Sequence, residues 1–204
     1  MSTPFGRLEV DALQELASIG CGRALSALGK LANRRFEMDV PEAWVGAAPG
    51  AIAAFLGALG SDVVAVGVKL EGALEGDLLL ALPEADAERL AAMLGFPPAE
   101  GGWAGMAESA LMESGNIVGS AFVSAVGTLV GEKLLLSIPT FARGSGKECV
   151  ERLVAHAGSI ALATRFTADA GGAPGAGTGA LEGLILVMPE PARISRLLDR
   201  LDLR

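Results

Sequence analysis

The stretch "ALEGDLLLALPEADAERLAAML", residues 73–94, recurs near the end of the chain as "ALEGLILVMPEPARISRLLDRL", residues 180–201. Each copy begins with Ala-Leu-Glu-Gly, continues with an aliphatic run and Pro-Glu, and ends with charged residues spaced among apolar ones. The aliphatic run is typical of a buried strand, and the spaced pattern is typical of an amphipathic helix. The same strand and helix at two places predict a duplicated chain.

The similarity continues upstream of both copies. The segment "LQELASIGCGRALSALGKLANRRFEMDVPE" aligns with "LMESGNIVGSAFVSAVGTLVGEKLLLSIPT", so that Glu15 matches Glu113 and Pro41 matches Pro139. Further on, "GSDVVAVGVKLEG" at 60–72 aligns with "GSIALATRFTADA" at 158–170. We therefore expect two repeats, of about residues 8–95 and 103–203. Because neither repeat alone could cover its sheet, we expect one domain over residues 1–204.

The residue pattern of each repeat predicts a long helix, a strand, a short helix or turn, a two-stranded hairpin and a closing helix. The fold class is then α/β, an internally duplicated pseudo-two-fold domain with a six-stranded, largely antiparallel sheet. Two long antiparallel helices and shorter helices pack on one face of this sheet. Helices are predicted near 8–32, 84–94, 103–131 and 191–201, strands near 36–45, 62–70, 74–82, 133–141, 159–167 and 180–188, and a two-residue turn at Glu71-Gly72.

Composition excludes several classes of protein. The formal net charge is −8 and no cluster of Lys and Arg forms a stripe, which argues against nucleic-acid binding. Cys21 and Cys149 form no disulfide framework, and the first residues do not read as a signal peptide, so we expect a cytoplasmic protein. The uncharged stretch 43–61 is divided by Pro49 and glycines, and we expect no membrane insertion.

Familiar catalytic patterns are missing from the sequence. His156 is the only histidine, and we expect it to cap a helix rather than to act in catalysis. The segment "GSGKE", 144–148, lacks the earlier glycine and the Ser/Thr of a phosphate-binding loop. "GAPGAGTG", 172–179, precedes a strand rather than a helix, the wrong order for a dinucleotide turn. We expect no metal or cofactor bound by the chain itself.

A polar stripe on each long helix remains. Spacings of four and three put Ser109, Glu113 and Asn116 on one helical face, with Ser120 one turn further on. A solvated face would explain Glu113 alone, but a carboxylate at the same register in two diverged repeats favours a function. The two patterns are Ser109-x3-Glu113-x2-Asn116-x22-Pro139 and Asp11-x3-Glu15-x2-Ser18-x22-Pro41.

The chemistry of such a pair is limited. A carboxylate can pair with a cation on a protein partner, and an amide can hold and orient a water molecule. Neither group is a strong base or nucleophile, so the pair suits a substrate that is already activated and carries its own metal ion. An aspartyl phosphate meets this description, because its hydrolysis depends largely on positioning.

The pattern [D/S]-x3-E-x2-N-x22-P on long helices of a duplicated α/β chain resembles the CheC/CheX/FliY family of chemotaxis phosphatases. "LQELASIGCGRALSALGKLANRRFEMDVP" is similar to the first helix and strand of CheC, including an Ile-Gly-x-Gly segment. "MAESALMESGNIVGSAFVSAVGTLVGEKLLLSIP" is similar to the second-half counterpart. The resemblance runs from about Leu8 to the end of the chain.

The resemblance implies a hydrolase that removes the phosphoryl group from a response-regulator receiver, CheY-P, in two-component signalling. Glu113 would dock on the receiver's active-site lysine, and Asn116 would orient the attacking water. Ser109 and Pro139 would support the motif, and the Mg²⁺ would belong to the receiver. Because Ser18 stands where the family has Asn, we expect the first site, made of Asp11, Glu15, Ser18 and Pro41, to be degenerate.

Two further readings stay open at this point. The protein could be a non-catalytic chemotaxis adaptor, or a flagellar-switch-like protein of the FliM type, that binds CheY-P, CheD or both. CheD is also a candidate partner of a phosphatase of this family. The duplication already supplies the two-fold arrangement that some relatives reach by dimerising, so we expect a monomer.

Overall fold

The fold class predicted from the repeats is confirmed. A computed structural model of the chain describes residues 5–97, 103, 105–155, 160–169 and 180–200. The helices are α1 (Arg7–Ala32), α2 (Pro49–Gly57), α3 (Glu84–Met93), α4 (Met106–Val130), α5 (Gly146–Leu153) and α6 (Pro191–Arg200). The strands are β1 (Phe36–Met38), β2 (Glu42–Val45), β3 (Val63–Gly72), β4 (Gly76–Pro83), β5 (Leu134–Leu136), β6 (Thr140–Gly144), β7 (Ile160–Asp169) and β8 (Ala180–Pro189).

The strands form one sheet in the order β1-β7-β8-β4-β3-β5, with β2 also on β7 and β6 also on β3. All pairings are antiparallel. The eight strands occupy six positions, because each outer strand of the predicted six is interrupted. The interruptions fall at residues 39–41 and 137–139, where Pro41 and Pro139 supply no backbone N–H for a ladder.

The two halves exchange their outer strands. β1 and β2 of the first half pair with β7 of the second, while β5 and β6 of the second half pair with β3 of the first. The pairing of β4 with β8 joins the halves at the centre of the sheet. This arrangement gives the sheet a pseudo-two-fold axis between β4 and β8.

Helices cover both faces of the sheet rather than the one face expected. The larger core joins α1, α3, α4 and α6 to one face, with Leu28, Val118, Phe122 and Ile185 among its fully buried residues. A smaller core lies under α2 and α5 on the other face. The cause is visible in β3 and β4, whose apolar residues run on consecutively and so need cover on both sides.

Two local predictions need correction. β3 runs to Gly72 and β4 begins at Gly76, so the turn comprises residues 73–75 rather than Glu71-Gly72, and Leu74 in it is buried. The second long helix begins at Met106 rather than Trp103; the indole Nε1 of Trp103 instead donates to Glu84 Oε1 at 3.0 Å. His156 and the glycine-rich residues 171–179 lie outside the described part of the chain.

None of the helices in the described residues has both the length and the apolar character needed to cross a membrane.

The glycines of α4 set the orientation of this helix. Gly115 and Gly119 are buried against the sheet, and a Cβ at Gly115 would lie 2.4 Å from Cγ1 of Val66 on β3. Where α1 and α4 cross, a Cβ at Gly20 would lie 2.5 Å from the ring of Phe122. Close packing on this side turns the opposite face of α4 to the outside of the molecule.

Candidate functional site

The polar stripe of α4 lies on its outward face. Ser109 and Glu113 are exposed, Asn116 is half-buried, and Ser120 is exposed one turn further on. The amide Nδ2 of Asn116 donates a hydrogen bond to Glu113 Oε2 at 3.5 Å. The structure therefore brings together the carboxylate and the amide on which the sequence argument depends, at a surface that a protein partner can reach.

This pair can act on a partner but cannot carry out a reaction alone. An exposed carboxylate accepts hydrogen bonds from a cation, and charge-assisted bonds of that type are short and strong. Asn116 Nδ2 faces Glu113 Oε2 at 3.5 Å, and the amide retains its carbonyl oxygen as an acceptor for a water molecule. The arrangement is suited to docking and to orienting a water molecule.

The corresponding stripe of α1 is similar in exposure and different in chemistry. Asp11 and Glu15 are exposed and Ser18 is half-buried, as in α4. No hydrogen bond links Ser18 to Glu15 in the described residues, whereas Asn116 and Glu113 are linked. The serine hydroxyl carries its donor and its acceptors on one atom and reaches less far, whereas an amide carries them on two separate atoms.

The two prolines of the motif mark the interruptions of the outer strands. Pro41 is buried, and its carbonyl oxygen accepts a hydrogen bond of 2.8 Å from Gln14 Nε2 on α1. Pro139 is half-buried between β5 and β6. Beside it, Ser137 Oγ accepts a 2.9 Å hydrogen bond from the backbone N–H of Lys69. Both prolines lie in strand interruptions rather than on the polar stripe.

An apolar groove borders Glu113, and the sequence reasoning missed it. Its volume is about 380 Å³, and its lining residues are Leu31, Leu94, Phe96, Met106, Ser109, Ala110 and Glu113. Residues from α1, α4 and the segment after α3 meet here, which no local pattern indicates. A signal was available in the repeats, because an apolar residue stands at position 8 as at 106 and at 31 as at 129.

Other catalytic chemistries find no support in the described residues. Burial raises the pKa of the Cys21 and Cys149 thiols to about 11, so neither is a thiolate nucleophile near neutral pH. No group of three His, Cys, Asp or Glu side chains in the described ranges could hold a metal ion. His156 lies outside these ranges.

The segment "GSGKE" is a helix cap. Ser145 Oγ accepts a hydrogen bond of 3.4 Å from the N–H of Glu148, and Glu148 Oε2 accepts one of 2.8 Å from the N–H of Ser145. Hydrogen bonds from Ser145 hold the pKa of Glu148 below its ordinary value. This reciprocal capping box brings a carboxylate to the N-terminus of α5, the kind of position where a phosphate-binding loop would hold its ligand.

Comparisons with known proteins agree with the motif and the fold. Residues 64–162 match the family model described as "Chemotaxis phosphatase CheX". CheC of Bacillus subtilis, described as a CheY-P phosphatase, is 30% identical over 135 residues, which cover 64% of this chain and 64% of that protein. CheC1 of Halobacterium salinarum is 28% identical over 171 residues, covering 83% of this chain and 86% of that protein.

Solved structures share the fold at low sequence identity. FliY of Thermotoga maritima superposes with a TM-score of 0.69 and 15% identity, covering 98% of both chains. CheX of Borrelia burgdorferi, solved in a complex with CheY, BeF3 and Mg²⁺, gives a TM-score of 0.50 and 18% identity over 89% of this chain and 99% of that one. The relatives found by sequence and the shared fold agree with the resemblance that the sequence indicates: the chain is similar to the CheC, CheX and FliY chemotaxis proteins.

Proposed function

We propose that this protein is a phosphatase that hydrolyses the aspartyl phosphate of a CheY-like response-regulator receiver. The observation that carries the proposal is the exposed Glu113 carboxylate, hydrogen-bonded to the half-buried Asn116 amide on the outer face of α4. The match to the CheX model supports it, because residues 64–162 include all of α4. The description of the Bacillus subtilis relative as a CheY-P phosphatase supports the same activity.

In this proposal Glu113 is the docking residue. Its carboxylate accepts hydrogen bonds from a cationic side chain beside the phosphorylated aspartate of the receiver. Such a charge-assisted contact fixes the distance between α4 and the phosphoryl group. Because Asn116 lies one turn along the same helix face, docking by Glu113 carries the Asn116 amide to the phosphoryl group as well.

Asn116 then orients the water that attacks. The amide oxygen accepts one hydrogen bond from the water, whose oxygen attacks phosphorus opposite the aspartyl oxygen. A new P–O bond forms, the bond between phosphorus and the aspartyl oxygen breaks, and both protons of the water go to the released phosphate. The products are a carboxylate and H₂PO₄⁻. The Mg²⁺ belongs to the receiver, and positioning supplies most of the catalysis.

The first half-site keeps the docking group and lacks the orienting group. Glu15 is exposed like Glu113, but Ser18 replaces the amide. We propose that Asp11, Glu15 and Ser18 contribute little or nothing to hydrolysis. Turnover then depends on the second half alone.

The test is the decay of a phosphorylated receiver. A CheY-type receiver is charged with acetyl phosphate, freed of the donor, and followed with and without the protein. The double variant Glu113→Ala/Asn116→Ala should return the decay rate to that of the receiver alone. Removing one positioned polar group typically lowers kcat by about 10²–10³-fold.

The matched control is Glu15→Ala/Ser18→Ala on α1, which should retain the wild-type rate. Unchanged activity of the α4 variant would show that the site is wrong. If wild-type protein binds phosphorylated receivers without accelerating their decay, the protein is an adaptor rather than a phosphatase. A pull-down with CheD tests that second partner separately.

A further inference from the structure

The groove beside Glu113 brings exposed apolar side chains together. Met106 at the start of α4 is 72% exposed, and Phe96 and Leu31 are 41% and 40% exposed. These three side chains line one groove of about 380 Å³ together with Leu94 and Ala110. A concave surface lined mainly by apolar side chains with a few polar groups is typical of a binding site.

The charge in the groove is as informative as its apolar surface. Among the lining residues that the structure describes, Glu113 is the only charged one and Ser109 is the only other polar one. A complementary partner therefore presents an apolar side chain next to a cation. A small apolar molecule would gain nothing from the carboxylate, and a highly charged ligand would gain nothing from Met106 and Phe96.

We propose that this groove is the docking site for an exposed apolar side chain of the receiver, located beside the cation that pairs with Glu113. The proposal rests on the proposed function, because the same carboxylate serves both. The groove is continuous with the proposed docking site, because Glu113 lines it. A protein that reaches this carboxylate therefore covers part of the groove with its own surface. The groove thus selects receivers by an apolar contact, while Glu113 and Asn116 act at the phosphoryl group.

The duplication provides matched controls. Leu8 stands at the repeat position of Met106 and is 76% exposed, and Leu129 stands at the position of Leu31 and is 45% exposed. Neither residue lines the groove. Replacing one pair or the other by glutamine therefore changes a comparable apolar area at equivalent places on α1 and α4. Glutamine is a good helix former, so the helices should be retained.

The experiment compares Leu31→Gln/Met106→Gln with Leu8→Gln/Leu129→Gln, both in a Glu15→Ala/Ser18→Ala background so that only the second site is measured. The groove variant should raise KM for the phosphorylated receiver by about 5–30-fold, the range expected for loss of a buried apolar contact at an interface. Its kcat should stay within about two-fold, because the contact is made equally in the ground and transition states. Phe96→Gln, outside both long helices, should raise KM in the same direction.

The other outcomes distinguish failure of the groove proposal from failure of the proposed phosphatase activity. Equal KM values for the two double variants, with Phe96→Gln also unchanged, would overturn the groove and leave the phosphatase intact. If wild-type protein accelerates no receiver, the proposed function fails, and the groove is judged by binding of a receiver charged with BeF3 and Mg²⁺. Weaker binding of the groove variant alone then supports the groove; equal binding, or none, overturns it.

Discussion

The two long helices occupy equivalent places in the fold and differ where chemistry would occur. Both carry an exposed carboxylate on the outward face, Glu15 on α1 and Glu113 on α4. One turn further on, α1 has Ser18 and α4 has Asn116. A carboxylate is therefore present in both halves and an amide beside it in one, so the proposed docking and orienting roles can be tested separately.

The buried faces of the two helices differ as well. α4 places Gly115 and Gly119 against the sheet, where α1 has Ala17 and Cys21. A glycine in a helix interior costs about 1 kcal/mol relative to alanine. Two of them at successive turns therefore need a compensating gain, and the close approach of α4 to Val66 provides it. The half of the chain that carries Asn116 is thus also the half whose long helix packs on the sheet through glycine residues.

The largest effect should come from making the second half resemble the first. Asn116→Ser replaces the amide by the residue found on α1 and should lower kcat for receiver dephosphorylation by about 10²–10³-fold, as for loss of one positioned donor or acceptor. KM should change little, because Glu113 and the groove are intact. Steady-state kinetics with a phosphorylated receiver measure both constants.

Ser18→Ala is the matched control for this change and should leave both constants unaltered. If Asn116→Ser retained full activity, the amide would have no role in turnover. The difference between the two helices would then be a matter of folding rather than of function.

A smaller effect should follow from the buried faces. Gly115→Ala adds a Cβ that would lie 2.4 Å from Cγ1 of Val66, a β-branched side chain with little freedom to move. Overpacking of this kind costs about 1–3 kcal/mol, against a gain of about 1 kcal/mol in helix propensity. We expect a lower free energy of unfolding, measured by urea denaturation.

Gly22→Ala on α1 is the control, since a Cβ there would meet only Met38 Cε, at 3.9 Å. This substitution should stabilise the protein by about 0.5–1 kcal/mol through helix propensity alone. Stabilisation by both substitutions would mean that α4 does not require its glycine to approach the sheet.

The sequence predicted the repeats from two similar segments, the antiparallel pairing from short connections between strands, and the polar stripes from spacing within one helix. It did not predict the register of β7. The sequence alignment places Leu70 of β3 and Ala168 of β7 at equivalent positions. In the sheet, Ala168 pairs with Phe36, and Gly72 pairs with Leu134, the repeat equivalent of Phe36. The position in β3 that is equivalent to Ala168 is therefore Gly72, two residues after Leu70. A shift by two residues leaves every side chain on the same face of the sheet, so apolar patterning does not detect it.

The groove could not be predicted for a different reason. Its lining comes from the end of α1, the start of α4 and the segment after α3. These parts of the chain meet only because the long helices are antiparallel and α3 packs beside α4. Spacing within one helix therefore identifies Glu113 and Asn116, whereas a surface formed by three elements requires the assembled fold.

The smallest effect should come from making the first half resemble the second. Ser18→Asn places an amide one turn from Glu15, with the spacing that Asn116 has from Glu113. In the wild-type background, a second working site would at most about double kcat, because each site acts on its own receiver.

In the Asn116→Ser background the same substitution should restore part of the lost activity, and this is the more sensitive measurement. Adding Glu15→Ala to that variant should remove the restored activity, since docking would be lost. If Ser18→Asn restores nothing, the spacing of carboxylate and amide is insufficient, and the close packing of α4 on the sheet contributes to the site as well.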